Sequence, residues 1–121
     1  MEFIKIKDSV FQKDLITQIH RDGAFVKVLF DNSAYQVDFF DSDRSKIEFD
    51  NVRVSLCTAL AGFVNTGNFI FRADTIQAIL LDDNKITFRF VSQPEIPVSF
   101  ETDSEARSEF NKLTDLLIQK D

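Results

Sequence analysis

Two stretches of this chain can be laid over each other, and that internal correspondence constrains its folding more than any single motif in it. Phe3, Ile4 and Asp8 match Phe69, Ile70 and Asp74. With about six extra residues allowed in the first copy, Ile16, Ile19, Asp22 and Phe30 match Ile76, Ile79, Asp82 and Phe90, while Val26 and Val28 fall opposite Ile86 and Phe88. A one-residue slip in the following turn aligns Tyr35, Val37 and Phe39 with Ile96, Val98 and Phe100, and Glu48-Phe49 with Glu109-Phe110. Two copies fall short of the three or more that a stacked solenoid needs, so the repeat points to one globular domain.

Local grammar gives each copy its elements. FIKIK (Phe3 to Lys7) alternates apolar and charged residues as a strand does, DSVFQKD reads as a polar break, and LITQIHR (Leu15 to Arg21) as a second strand. Asp22-Gly23 is a hairpin signal, AFVKVLF follows as a third strand, and Asp31-Asn32-Ser33 turns the chain into a fourth, AYQVDFF. Asn65-Thr66-Gly67-Asn68 is the clearest loop, after which FIFRAD, TIQAILL, the Asp82-Asp83-Asn84 turn, KITFRFV and EIPVSF repeat the pattern. Connections this short make antiparallel sheets, because parallel crossovers need a dozen residues or more.

A capping box, Thr102 with Glu105, opens a C-terminal helix whose Ala106, Phe110, Leu113 and Leu117 share one face. Residues 41–63 fit two patterns at once. Ile47, Phe49, Val52, Val54 and Leu56 alternate in part like strands, yet Phe49, Val52, Leu56, Leu60 and Phe63 are spaced as a helical stripe. The repeat sets Phe49, Val52 and Leu56 opposite Phe110, Leu113 and Leu117, which selects helix, with Asp41 or Asp43 as its cap. The expected fold class is therefore α+β: antiparallel sheets with two helices, a tandem ββββα duplication with pseudo-twofold symmetry, forming a single domain over 1–121 with units at about 1–64 and 65–121. Were Lys46 to Leu56 strand, the outline would instead be similar to a pleckstrin-homology-like β-barrel closed by the C-terminal helix. The duplicated outline also resembles PC4-like and whirly single-stranded DNA-binding proteins, through the order of elements and no motif, which carries no function by itself.

Chemistry is sparse. The single histidine, His20, sits beside Arg21 near a strand end, where a surface or turn role outweighs a catalytic one, and a nucleophilic triad has no other base of that kind. Cys57 falls within or beside the apolar stripe of the first helix and reads as a structural thiol; being alone, it forms no intramolecular disulfide. One Cys and one His do not make a zinc site. Asp41-Ser42-Asp43 lacks the glycine and glutamate of a calcium loop, since those places hold Lys46 and Val52. Three scattered glycines, Gly23, Gly62 and Gly67, build no phosphate loop. No cofactor, no metal and no enzyme activity are expected.

Twenty acidic against fourteen basic residues give a net charge of -6, which opposes non-specific attraction to nucleic acid or anionic lipid. No apolar run approaches the roughly 20 residues of a bilayer span. The charged start MEFIKIKDSV has no signal-peptide core, so a cytoplasmic location without membrane association is expected.

Two surface features point to binding. If Val26, Val28 and Phe30 face the core, Phe25 and Leu29 face the other way, where the second copy has Lys85 and Arg89; the other copy, a second subunit of a homodimer or a partner protein is expected to cover them. The first function expected is thus a non-enzymatic protein-interaction or adaptor module that self-associates. The alternative is single-stranded nucleic-acid binding through Lys5, Lys7, Lys27, Arg72 and Arg89, basic residues that share strands with aromatic ones. A further alternative, an acidic inhibitor that imitates nucleic acid, requires carboxylates clustered on one face.

Overall fold

A computed structural model describes residues 2–57 and 62–118. The chain is α+β, with ten strands in antiparallel sheets and two α-helices among the described residues. It divides into two compact units, Met1–Arg72 and Ala73–Asp121.

The first unit opens with a hairpin, β1 (Phe3–Ile6) and β2 (Ser9–Gln12), followed by a 3-10 turn at Lys13–Leu15. The segment from Asp8 to Asp14, expected to be a polar break, therefore contains a strand, and the second expected strand starts at Gln18 instead of Leu15. A meander follows: β3 (Gln18–Asp22), β4 (Phe25–Leu29) and β5 (Ala34–Asp38). Next come α1 (Ser42–Leu56) and a second hairpin, β6 (Phe63–Thr66) with β7 (Phe69–Arg72). Strands β5-β4-β3-β7-β6 form one five-stranded sheet in that order. Asn65 and Thr66, read as loop, complete β6, and the turn itself is Gly67-Asn68.

The helix expected over the ambiguous segment forms, which removes the pleckstrin-homology-like alternative. Asp41 caps it, its Oδ1 accepting from the Asp43 N–H at 2.9 Å. Phe49, Val52 and Leu56 are buried against the sheet face that carries Ile19, Val26, Val28, Val37 and Ile70, and each such side chain contributes roughly 1.5–3 kcal/mol. Leu60, assigned to the same stripe, lies outside the described residues; Phe63 belongs to β6 and reaches the core from there.

The second unit consists of a 3-10 turn at Ala73–Thr75, a sheet of β8 (Ile76–Asp82), β9 (Lys85–Phe90) and β10 (Ile96–Ser99) in the order β10-β9-β8, and α2 (Asp103–Ile118). The Thr102 hydroxyl accepts from the Glu105 N–H at 3.1 Å, as the capping box requires. Ile86, Phe88, Val98, Ala106 and Leu113 are buried.

The duplication is present, and from Ile16 onward its register is the expected one; only the opening hairpin is matched differently. Positive φ recurs sixty residues apart at Lys7 (55°) and Gly67 (54°), and at Gly23 (59°) and Asp83 (55°). The hairpins β1-β2 and β6-β7, the two 3-10 turns and the two meanders share this spacing, and the caps Asp41 and Thr102 follow after one inserted residue. Phe3 and Ile4 therefore correspond to Phe63 and Val64, not to Phe69 and Ile70, and no six-residue insertion exists. Each copy is βββββα. The compact units part at Arg72/Ala73, past the start of the second copy, because β7 pairs with β3.

Candidate interaction face

β4 is the middle of the meander, and alternation splits its side chains between two environments. Val26 and Val28 are fully buried against α1, so Phe25, Lys27 and Leu29 project from the opposite face. Phe25 is 37% exposed, Lys27 exposed and Leu29 half-buried. Four residues of strand set Phe25 and Leu29 about 13 Å apart, with Lys27 between them.

The registers supply the neighbours on that face. Asp22 and Asp38 flank Phe25, His20 and Gln36 flank Lys27, and Gln18 and Ala34 flank Leu29. On the β3 side, His20 donates from Nε2 to Gln18 Oε1 at 2.7 Å and meets the Phe69 ring edge-on at 5.0 Å between centroids. Burial pushes its pKa down to about 4, and the charge of Lys27 adds to the shift, so the imidazole is neutral at neutral pH. The expected surface or turn histidine is thus a mid-strand residue packed among aromatic rings.

The cationic residues of the nucleic-acid alternative are not gathered on this face. Lys27 alone belongs to it. Lys5 lies on the exposed side of β1, opposite Val10. Lys7 donates from Nζ to the Asp38 carbonyl at 2.7 Å and covers the Phe40 ring at 4.8 Å. Arg72 donates to the Ile16 carbonyl at 2.7 Å and the Lys13 carbonyl at 2.6 Å, its guanidinium 4.7 Å from the Phe63 centroid. Those bonds tie β7 to the chain between β2 and β3, a structural use of the side chain. Arg89, in the second unit, pairs with Glu95 at 3.6 Å. Among the described residues no three His, Cys, Asp or Glu side chains are grouped as metal ligands.

A second concavity, of about 670 Å³, was not foreseen because β2 was not. Phe11, Phe30 and Tyr35 pack together there at 5.7–6.1 Å between centroids, with Val10, Leu15 and Asp31 on its wall. The available signal was the match of Phe11 with Phe71, visible once the halves are laid sixty residues apart.

No protein-family model matches the sequence, and no curated protein is detectably similar to it. The structure is similar to a chain described as the LytTr DNA-binding domain of a methyl-accepting/DNA response regulator from Bacillus cereus. The TM-score is 0.60 and the identity 18%, over 93% of this chain and 94% of that one. At that identity the likeness concerns the fold. No helix among the described residues is long and apolar enough to cross a membrane.

Proposed function

We propose that this chain is a non-enzymatic, cytoplasmic protein-interaction module whose outer sheet face takes a protein partner. The observation that carries this reading is the placement of Phe25 and Leu29 on the side of β4 turned away from α1, where Phe25 keeps more than a third of its surface open to water. Apolar anchors separated by one cation favour a partner surface with two apolar pockets and an acidic group between them. Replacing Phe25 and Leu29 together with Asp tests it, because neither change touches the core formed by Val26 and Val28. The double variant is expected to keep its circular dichroism and to lose the proteins that co-purify with the tagged chain from its native cytoplasm; undiminished recovery refutes the reading.

The likeness to a DNA-binding domain favours a second reading, nucleic-acid binding. Its support is the fold alone, and against it stand the negative net charge and the structural commitment of Arg72 and Lys7. Fluorescence anisotropy with labelled duplex and single-stranded DNA at low salt decides it: no change at micromolar protein removes it.

A further inference from the structure

Repeat-equivalent surfaces are used differently in the two copies. In the first unit, β7 adds to β3 with Ile19 opposite Ile70, and the bonds from Arg21 N–H to the Asn68 carbonyl and from Arg72 N–H to the Thr17 carbonyl bracket that pair. Ile19 and Ile70 therefore direct their own backbone groups at each other, and both side chains are fully buried with Phe49, Leu56 and Phe63.

The equivalents of these residues are β2 and β8. Among the described residues, β2 pairs with β1 alone and β8 with β9 alone, which leaves each with a free backbone edge. Val10, the equivalent of Ile70, is 61% exposed, and Phe3, the equivalent of Phe63, is 56% exposed, against 0% and 5% for their counterparts. On the other side, Ile79, Phe110 and Leu117 are the equivalents of Ile19, Phe49 and Leu56. They line an open groove of about 370 Å³ between β8 and α2, at the place where Ile70 fills the first unit. One copy presents an apolar hairpin without a socket, and the other presents a socket without a hairpin.

We infer that this chain self-associates by strand addition, the β2 edge of one molecule pairing antiparallel with the β8 edge of a second copy. The register follows from β3-β7: Val10 opposite Ile79, Phe11 opposite Ala78, Ser9 opposite Leu80. Val10 enters the groove under α2, and Phe3 is buried beside it. The groove and the hairpin satisfy each other chemically, since both are apolar and each carries an unpaired ladder of N–H and C=O groups. This surface is separate from Phe25 and Leu29, so either proposal can fail without the other.

Light scattering and disulfide trapping test it on the whole chain. The wild type is expected at a multiple of 13.9 kDa, and the Phe3→Asp/Val10→Asp variant at 13.9 kDa with unchanged circular dichroism, since both side chains are already exposed. In a Cys57→Ser background, Ser9→Cys chains mixed with Leu80→Cys chains are expected to give a cross-linked heterodimer on oxidation, which neither gives alone to the same extent. A wild type that is monomeric at high micromolar concentration overturns the inference, and so does an unchanged mass for the Phe3/Val10 variant. Cross-linking no greater in the mixture than in either variant alone does the same.

Discussion

Arg72 separates a structural from a binding role most sharply. Arg72→Met keeps an apolar stem over Phe63 but removes both donors, leaving the Ile16 and Lys13 carbonyls without them. A hydrogen bond to a charged donor is worth about 1.5–3 kcal/mol, and the lower end applies to a half-buried side chain whose acceptors water can partly rescue. Two such bonds give a loss of about 3 kcal/mol, the cation-ring contact adding a fraction of a kcal/mol. For a chain of this length that corresponds to a fall in Tm on the order of 10 °C. Arg72→Lys restores one compact donor and is expected to recover roughly half of the loss. Urea unfolding followed by circular dichroism, with thermal melts alongside, measures both variants. A loss below about 0.5 kcal/mol for Arg72→Met, the range of an ordinary surface change, would refute the assignment of Arg72 as a clamp on β7.

Three further outcomes follow from the same structure. Gly23→Ala places a side chain at φ 59° with no atom within 4 Å of the new Cβ, so the cost is backbone strain alone, about 1 kcal/mol by chemical denaturation, and a loss near zero contradicts the turn geometry. Thr102→Ala removes the cap of α2 and should destabilise by about 1 kcal/mol, with helical ellipticity at low denaturant as the check. His20 binds its proton more weakly folded than unfolded, so its contribution to stability is complete above about pH 6.5 and is lost as the pH falls toward 4. His20→Gln is expected to flatten the stability profile in that window, and two parallel profiles would show that the imidazole is not desolvated.

Much of the architecture was legible because it rests on local rules. The antiparallel meanders follow from period-two alternation between Asp22-Gly23 and Asp82-Asp83-Asn84 turns, and the helix over Ser42–Leu56 was resolved by its match with α2, whose Thr102-Glu105 box names its own start. The same alternation placed Phe25 and Leu29 on the side of β4 away from Val26 and Val28. The β1-β2 hairpin was missed because Lys7 occupies a positive-φ position that glycine holds in the second copy, so Asp8 stood there without the glycine that marks such a turn.

By itself, then, the sequence determined the kinds of elements and the sides their apolar residues take, since both depend on neighbours a few positions away. Only the tertiary structure decided that β7 lies against β3, that Arg72 is consumed by two carbonyls, and that His20 is a neutral ring among aromatic ones. Pairing across fifty residues depends on which edge is free and which side chains fill the space beneath it. Two copies with nearly the same pattern therefore bury Ile70 in one place and leave Val10 in water in the other.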